Sequence, residues 1–343
     1  MSRRSERAAA IVGVAGPVLG ADERDLIAAT RPLGFILFKR NCETPDQIAA
    51  LTAALRDAVD DAEAPVLIDQ EGGRVRRLQG PPWHEAPPAA TFARLPDPDA
   101  GARAAWLNSR LIADDLTAMG VDVDCVPCLD LSFAQTHKVI GDRSYGTDVG
   151  TVVRLGGAAA GGLKAGGVMP VMKHLPGHGR ATVDSHDSLP VVEADFETLA
   201  ATDFAPFASL TDVIELGMTG HLMFPAIDPL WPSTLSATIV AQVIRDRIGF
   251  QGLLMSDDLS MQALAGDVGE RAAGAIAAGC DIALHCNGRF DEMRAVLDAC
   301  GPMSAAAHDR WALAQQGIAR PEPFERTAAQ QELAGLLASV PDA

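Results

Sequence analysis

The residues able to do chemistry are concentrated in one stretch, Val171-Met-Lys-His-Leu-Pro-Gly-His-Gly-Arg-Ala-Thr-Val-Asp-Ser-His-Asp-Ser-Leu-Pro190. A short apolar run, 168–172, stops at Lys173 and His174, after which Pro176, Gly177 and Gly179 forbid a helix. The polar loop beyond holds Asp184, His186 and Asp187 and is closed by Pro190. On a helix, the four-residue spacing of His174 and His178 would make a metal pair, but the proline and glycines remove the helix. Asp184-Ser-His186 points to proton transfer instead. A carboxylate two residues before an imidazole in a tight loop can accept from its Nδ1–H, fix the tautomer and leave Nε2 to move a proton. The helix-free, glycine-bearing approach to this loop predicts a mobile segment that carries His186 in and out of a site.

Three other places offer matching groups. Ile68-Asp-Gln-Glu-Gly-Gly-Arg-Val-Arg-Arg77 follows a strand-like run, and Asp69 stands where an inward carboxylate would meet a ligand. A carboxylate there can accept two hydrogen bonds from adjacent hydroxyls, or it can serve only a structural Asp–Arg pair. Arg143, flanked by Asp142, reads by itself as a local ion pair. A Lys–His pair ending a strand, as at Lys173 and His174, is a costly choice for a core. Leu253-Leu-Met-Ser-Asp-Asp-Leu-Ser-Met261 ends another run with two carboxylates. Consecutive strand residues face opposite ways, so one of Asp257 and Asp258 points into a pocket. Paired this way, they suggest a divalent metal about as strongly as a nucleophile. Thr219-Gly-His221 repeats the pattern of polar groups at a strand end without a role of its own.

Elements able to present these groups recur along the chain. Strand-like runs lie at 10–14, 34–38, 65–68, 121–126, 168–172, 213–218, 252–255 and 281–284. Helical stretches at 44–59, 100–119, 149–165, 196–210 and 269–278 alternate with them, and a helical tail follows Met303. Thr44-Pro45-Asp46 is an N-cap with proline in the first turn. Eight strands separated by helices predict an α/β fold, a single (β/α)8 TIM-type barrel spanning 1–343 as one domain. The rival is an open doubly wound sheet, weakened in its dinucleotide form because no G-x-G-x-x-G follows the first strand.

Composition narrows the partners. A formal charge of −17 over 343 residues argues against nucleic acid or an anionic membrane as partner. Hydrophobic residues make up 48% while aromatics are 5%, so aliphatic side chains and alanine must fill the core. Six cysteines include Cys125-Val-Pro-Cys128, but no second C-x-x-C accompanies it, and buried thiols in a reducing compartment are expected. Arg3-Arg4 before the apolar run 8–17 imitates a signal peptide. Broken by glycines and a proline, that run reads instead as the first barrel strand of a cytoplasmic protein.

The segments D-Q-E-G-G-R-V-R-R, G-D-R-S-Y-G, K-H-L-P-G-H-G with D-S-H, and S-D-D-L-S-M occur in this order and resemble glycoside hydrolase family 3, specifically its bacterial β-N-acetylhexosaminidases. The resemblance runs over 34–287. It implies a retaining exo-β-N-acetylglucosaminidase with Asp257 as nucleophile, His186 as general acid/base and Asp184 orienting it. Asp69, Arg77, Arg143, Lys173 and His174 would contact substrate, and Glu71 and Arg74 would be scaffolding. It further implies muropeptide fragments carrying N-acetylglucosamine as the carbohydrate substrate, no metal or organic cofactor, and a monomeric protein of the cytoplasm. Two alternatives use the same residues differently. A phosphorylase would transfer the sugar to phosphate through the same Asp/His pair, and a non-catalytic sugar-binding barrel would keep Asp69, Arg143 and Lys173 alone.

Overall fold

A computed structural model of the chain describes residues 7–185, 188–317 and 321–340. Eight strands, β1 (Ala8–Gly13), β2 (Pro32–Leu37), β3 (Val66–Ile68), β4 (Val123–Asp124), β5 (Met169–Leu175), β6 (Leu216–Thr219), β7 (Leu253–Met255) and β8 (Ala283–His285), form one sheet. Every pairing in it is parallel, in the order β7-β6-β5-β4-β3-β2-β1-β8. A parallel bridge from Met255 to Ile282 joins β7 to the residue before β8, so the sheet closes on itself. This is the (β/α)8 TIM-type barrel. Every strand residue is buried, as expected where side chains face either a filled barrel interior or a ring of helices.

The apolar run near the N-terminus is β1, paired on both sides by β2 and β8 and buried along its whole length. Helix boundaries follow their caps. Thr44 Oγ1 accepts from the Gln47 N–H ahead of Pro45–Ala58, Asp148 accepts from Thr151 ahead of Val149–Ala165, and Asp267 with Glu270 forms a capping box ahead of Val268–Ala278. The remaining long helices are Ala21–Thr30, Pro98–Ala118, Phe290–Ala299, Ala305–Gln316 and Arg326–Leu337. The last of these packs on Pro98–Ala118, where Arg326 pairs with Asp114 and Asp115 and Arg103 pairs with Glu332.

Three expectations need correction. The helix expected over 196–210 is two short pieces, Phe196–Ala201 and Ala205–Ala208. Pro206 has no N–H to offer Thr202 and disfavours helical backbone before it, while Asp203 turns away to take Arg180 at 2.7 Å. The strand expected over 213–218 begins only at Leu216, after a turn. The strand expected to stop at Met172 continues through Leu175, with its register to β6 shifting between Met172 and Leu175. Such an irregularity breaks the alternation of faces, and Lys173 and His174 both line the cavity at the C-terminal end of the barrel.

Candidate active site

The cavity holds about 200 Å³ and is lined by Phe38, Asp69, Arg77, Arg143, Lys173, His174, Met218, Asp257 and Cys286 among others. These residues lie at or just beyond the C-terminal ends of β2 to β8, the end of the barrel where loops converge and the parallel strands terminate.

Its wall is a buried array of alternating charges. Lys173 Nζ donates to Asp69 Oδ1 and Glu71 Oε1, both at 2.7 Å. Arg77 donates to the other oxygen of Asp69 at 2.8 Å, and Arg143 grips Glu71 with Nε and Nη2 at 2.8 and 2.7 Å. Burial would raise both carboxyls, but the cations outweigh it. Lys173 and Arg77 hold Asp69 well below the usual carboxylate range, and Arg143 and Lys173 hold Glu71 at about 2. Arg143 is therefore not the local partner of Asp142, which pairs with Arg74 at 3.3 Å. Glu71, expected to be scaffolding, is central to the array. The signal was available in the chain: residues two apart share a face, so Asp69 and Glu71 turn inward together.

The loop that brings Arg77 back to Asp69 is closed by Gln70. Its Oε1 accepts from the N–H groups of Arg77 and Leu78 at 2.9 and 3.0 Å, and its own N–H donates to Asp124 at 2.9 Å. Gly72 and Gly73 make the turn with positive φ, packed so tightly on Pro87 and Pro88 that a Cβ at either would clash.

Asp130, beyond β4, organises the two histidines. It accepts from His174 Nδ1 at 2.6 Å and from the His178 N–H at 2.6 Å. His174 thus carries a proton on Nδ1 and turns Nε2 toward Arg143, 3.5 Å away. Asp130 and His174 make a carboxylate–imidazole pairing of the kind anticipated at 184–186, here between residues far apart in sequence. His178 is not the second half of a metal pair. Its Nε2 lies 3.3 Å from Ser185 Oγ, and burial together with the neighbouring His174 lowers it to about 4, so it is neutral.

Asp257 follows β7 on the far side of the cavity. Its Oδ1 accepts from the Asp258 N–H at 2.8 Å. Burial would raise its carboxyl, yet the nearby His174 ring, that N–H and the Lys173 ammonium lower it, so it is ionised near neutrality. Asp258 turns away from the cavity centre: its carboxylate accepts from Cys286 N, Ser260 N and Ser260 Oγ at 3.1, 3.0 and 2.6 Å. The structure thus brings Asp69, Arg77, Arg143, Lys173, His174 and Asp257 around one cavity. Asp184 is half-buried, its carbonyl accepting from the Ser188 N–H, and His186 lies outside the described residues.

Residues 13–309 match the family model described as "Glycosyl hydrolase family 3 N terminal domain". The chain belongs to glycosyl hydrolase family 3. A protein of Methylobacillus flagellatus named "Beta-hexosaminidase" is 36% identical over 307 residues, covering 87% of this chain and 83% of its own. A Vibrio cholerae protein of the same name is 39% identical, with 80% and 82% covered. Among solved structures, NagZ from Neisseria gonorrhoeae in complex with N-trifluoroacetyl-D-glucosamine superposes with a TM-score of 0.86 at 32% identity, covering 97% of this chain and 98% of that one. This family 3 chain is a glycoside hydrolase with the barrel of its relatives.

Within this hydrolase, Cys128 Sγ, Asp130 and His174 bring possible metal-ligand atoms within 4.8 Å of one another. They are already committed to each other: Sγ donates to Asp130 at 3.2 Å, the imidazole binds the same carboxylate, and burial pushes the thiol up, away from the thiolate a metal needs.

The charge array carries a stability prediction. Lys173→Met is expected to destabilise the protein by about 3–5 kcal/mol, because Asp69 and Glu71 would keep buried charge without their shared cation. The denaturant midpoint should fall with no change in slope. Glu71 also contributes to acid sensitivity. Its folded pKa lies below the ordinary value of 4.5, so its stabilisation is present above about pH 4.5 and lost as pH falls toward 2. Glu71→Gln should flatten that part of the acid limb.

Proposed function

We propose that this chain is a retaining exo-β-N-acetylglucosaminidase. The observation carrying this reading is an ionised Asp257 facing a small cavity whose opposite wall is fixed by Asp69, Arg143, Lys173 and His174. Carboxylates and cations locked together before a ligand arrives offer sugar hydroxyls preoriented donors and acceptors at little reorganisation cost. At about 200 Å³ the cavity is below the usual range for drug-sized ligands and suits one terminal sugar ring, which supports exo action. Relatives carrying the name beta-hexosaminidase support the N-acetylated sugar.

In this mechanism an Asp257 oxygen attacks the anomeric carbon as the glycosidic C–O bond breaks, and His186 delivers a proton to the departing oxygen. Water then attacks the glycosyl–Asp257 ester while the same imidazole removes its proton, and the sugar leaves with its configuration retained. Asp184 orients the ring and stabilises its charged form. An imidazole suits the double role because its ordinary pKa, about 6.5, lies near neutrality. The family resemblance supports muropeptide fragments ending in N-acetylglucosamine as substrates, and a cytoplasmic monomer as the working form.

A chromogenic β-N-acetylglucosaminide should be hydrolysed with the β-anomer released first, while the matching β-glucoside is left nearly untouched. The same products are expected with and without inorganic phosphate. A sugar 1-phosphate in the phosphate arm would establish the phosphorylase instead, and no turnover in either arm would leave the sugar-binding barrel.

A further inference from the structure

Thr219-Gly-His221 and Thr234 lie outside the cavity lining, yet they form a buried hydrogen-bonded chain that ends beside Asp257. His221 is completely buried, with Nε2 3.0 Å from the Asp258 carbonyl oxygen and Nδ1 2.8 Å from Thr234 Oγ1. A carbonyl only accepts, so the proton sits on Nε2. Burial lowers the pKa of this ring, which is therefore neutral, and Nδ1 is bare. Thr234 must then donate to Nδ1, and Thr219 Oγ1, 2.8 Å from Thr234 Oγ1, must donate to Thr234 in turn. The Gly220 carbonyl, also within reach of the Thr234 hydroxyl, already accepts from Ser233 Oγ. With Nε2 committed to the Asp258 carbonyl, the neutral imidazole has one tautomer available to it.

What that tautomer grips is residue 258. The Asp258 carbonyl is held by His221, its carboxylate by Cys286 N and Ser260, and its N–H faces Asp257 Oδ1. Among the described residues that N–H is the hydrogen-bond partner of the Asp257 carboxylate, so the attitude of the carboxylate depends on how residue 258 is pinned. We propose that His221, its Nε2–H fixed by the Asp258 carbonyl and its ring anchored by Thr234 and Thr219, is a positioning residue that aims the Asp257 carboxylate at the reacting carbon. The proposal rests on reading Asp257 as the nucleophile.

The test joins kinetics to a readout of the ring itself. In protein labelled with 15N-histidine, the His221 signal, assigned by its loss in His221→Gln, should show Nε2–H and bare Nδ1 at pH 7. Thr234→Val, which removes the hydroxyl holding Nδ1, should keep Nε2–H and lower kcat part of the way that His221→Leu does. With the chromogenic N-acetylglucosaminide, His221→Leu should lower kcat about 100-fold with KM changed less than about threefold, the scale expected when a reacting group is misplaced by about 1 Å. His221→Gln, whose side-chain amide can still donate to the Asp258 carbonyl, should recover most of that loss. An Nδ1–H or doubly protonated ring in the wild type would overturn the proposal. So would equal losses in the Leu and Gln variants, which would reduce His221 to packing. If the wild type bound N-acetylglucosamine without turnover, the proposed function would fail, while the ring signals would still decide whether the Asp258 carbonyl fixes the tautomer. Should His221→Leu not fold, the wild-type tautomer and the kcat of Thr234→Val remain decisive.

Discussion

Asp257→Ala is expected to lower kcat by on the order of 10⁴–10⁶-fold while leaving the fold intact, the scale on which nucleophiles of covalent catalysis act. The carboxylate lines the cavity and, among the described residues, is ionised without a cation bound to it, so removing it leaves no buried charge there unpaired. Asp258→Ala should behave in the opposite way. It removes an acceptor from Cys286 N, Ser260 N and Ser260 Oγ, which costs about 1–3 kcal/mol of stability, and it reduces turnover only by loosening residue 257. A 5-fluoro glycosyl donor with a good leaving group should label Asp257, as read by mass spectrometry of the digested protein. A label on Asp258, or an active Asp257→Ala protein, would remove the nucleophile from the mechanism.

His186→Ala is expected to separate substrates by their leaving groups. Aglycones that depart only when protonated should be slowed about 10²–10⁴-fold, the usual worth of general acid–base assistance. A dinitrophenyl glycoside needs no proton to leave, so its glycosylation step should be far less affected. Deglycosylation still requires a base to activate water. The covalent intermediate should therefore accumulate, and azide, which needs no deprotonation, should restore turnover. Asp184→Asn should give a milder form of the same pattern, since the imidazole loses orientation and not existence. Equal losses for both kinds of substrate would assign the proton transfer to another group.

Local sequence determined a large part of this protein. Helix 149–165 begins and ends where its Asp148 cap and apolar spacing place it, and the run after Arg4 is a barrel strand because its glycines and its length suit one. The eight strands, and the chemistry-bearing residues at their C-terminal ends, were legible because strand, polar stop and loop repeat with a spacing that suits a parallel sheet with helical crossovers, while its closure is a fact of the tertiary structure. Helices 21–30 and 290–299 were not anticipated, and the 196–210 region divides because Pro206 and the Asp203–Arg180 pair override its helical pattern. Pairing across the barrel could not be read from the chain. Arg143 looks like the partner of Asp142 next to it, yet it takes Glu71, 72 residues away, because both are buried and a buried carboxylate demands the cation that can reach it with two donors. Asp130 likewise meets His174 only because β4 and β5 lie side by side. His221 acquires its partners from loops that follow β6 and β7. Residue types and their place at strand ends were written locally. Which charge meets which, and which tautomer results, was decided by closure of the barrel, since hydrogen bonds and ion pairs depend on distances in space that sequence separation does not encode.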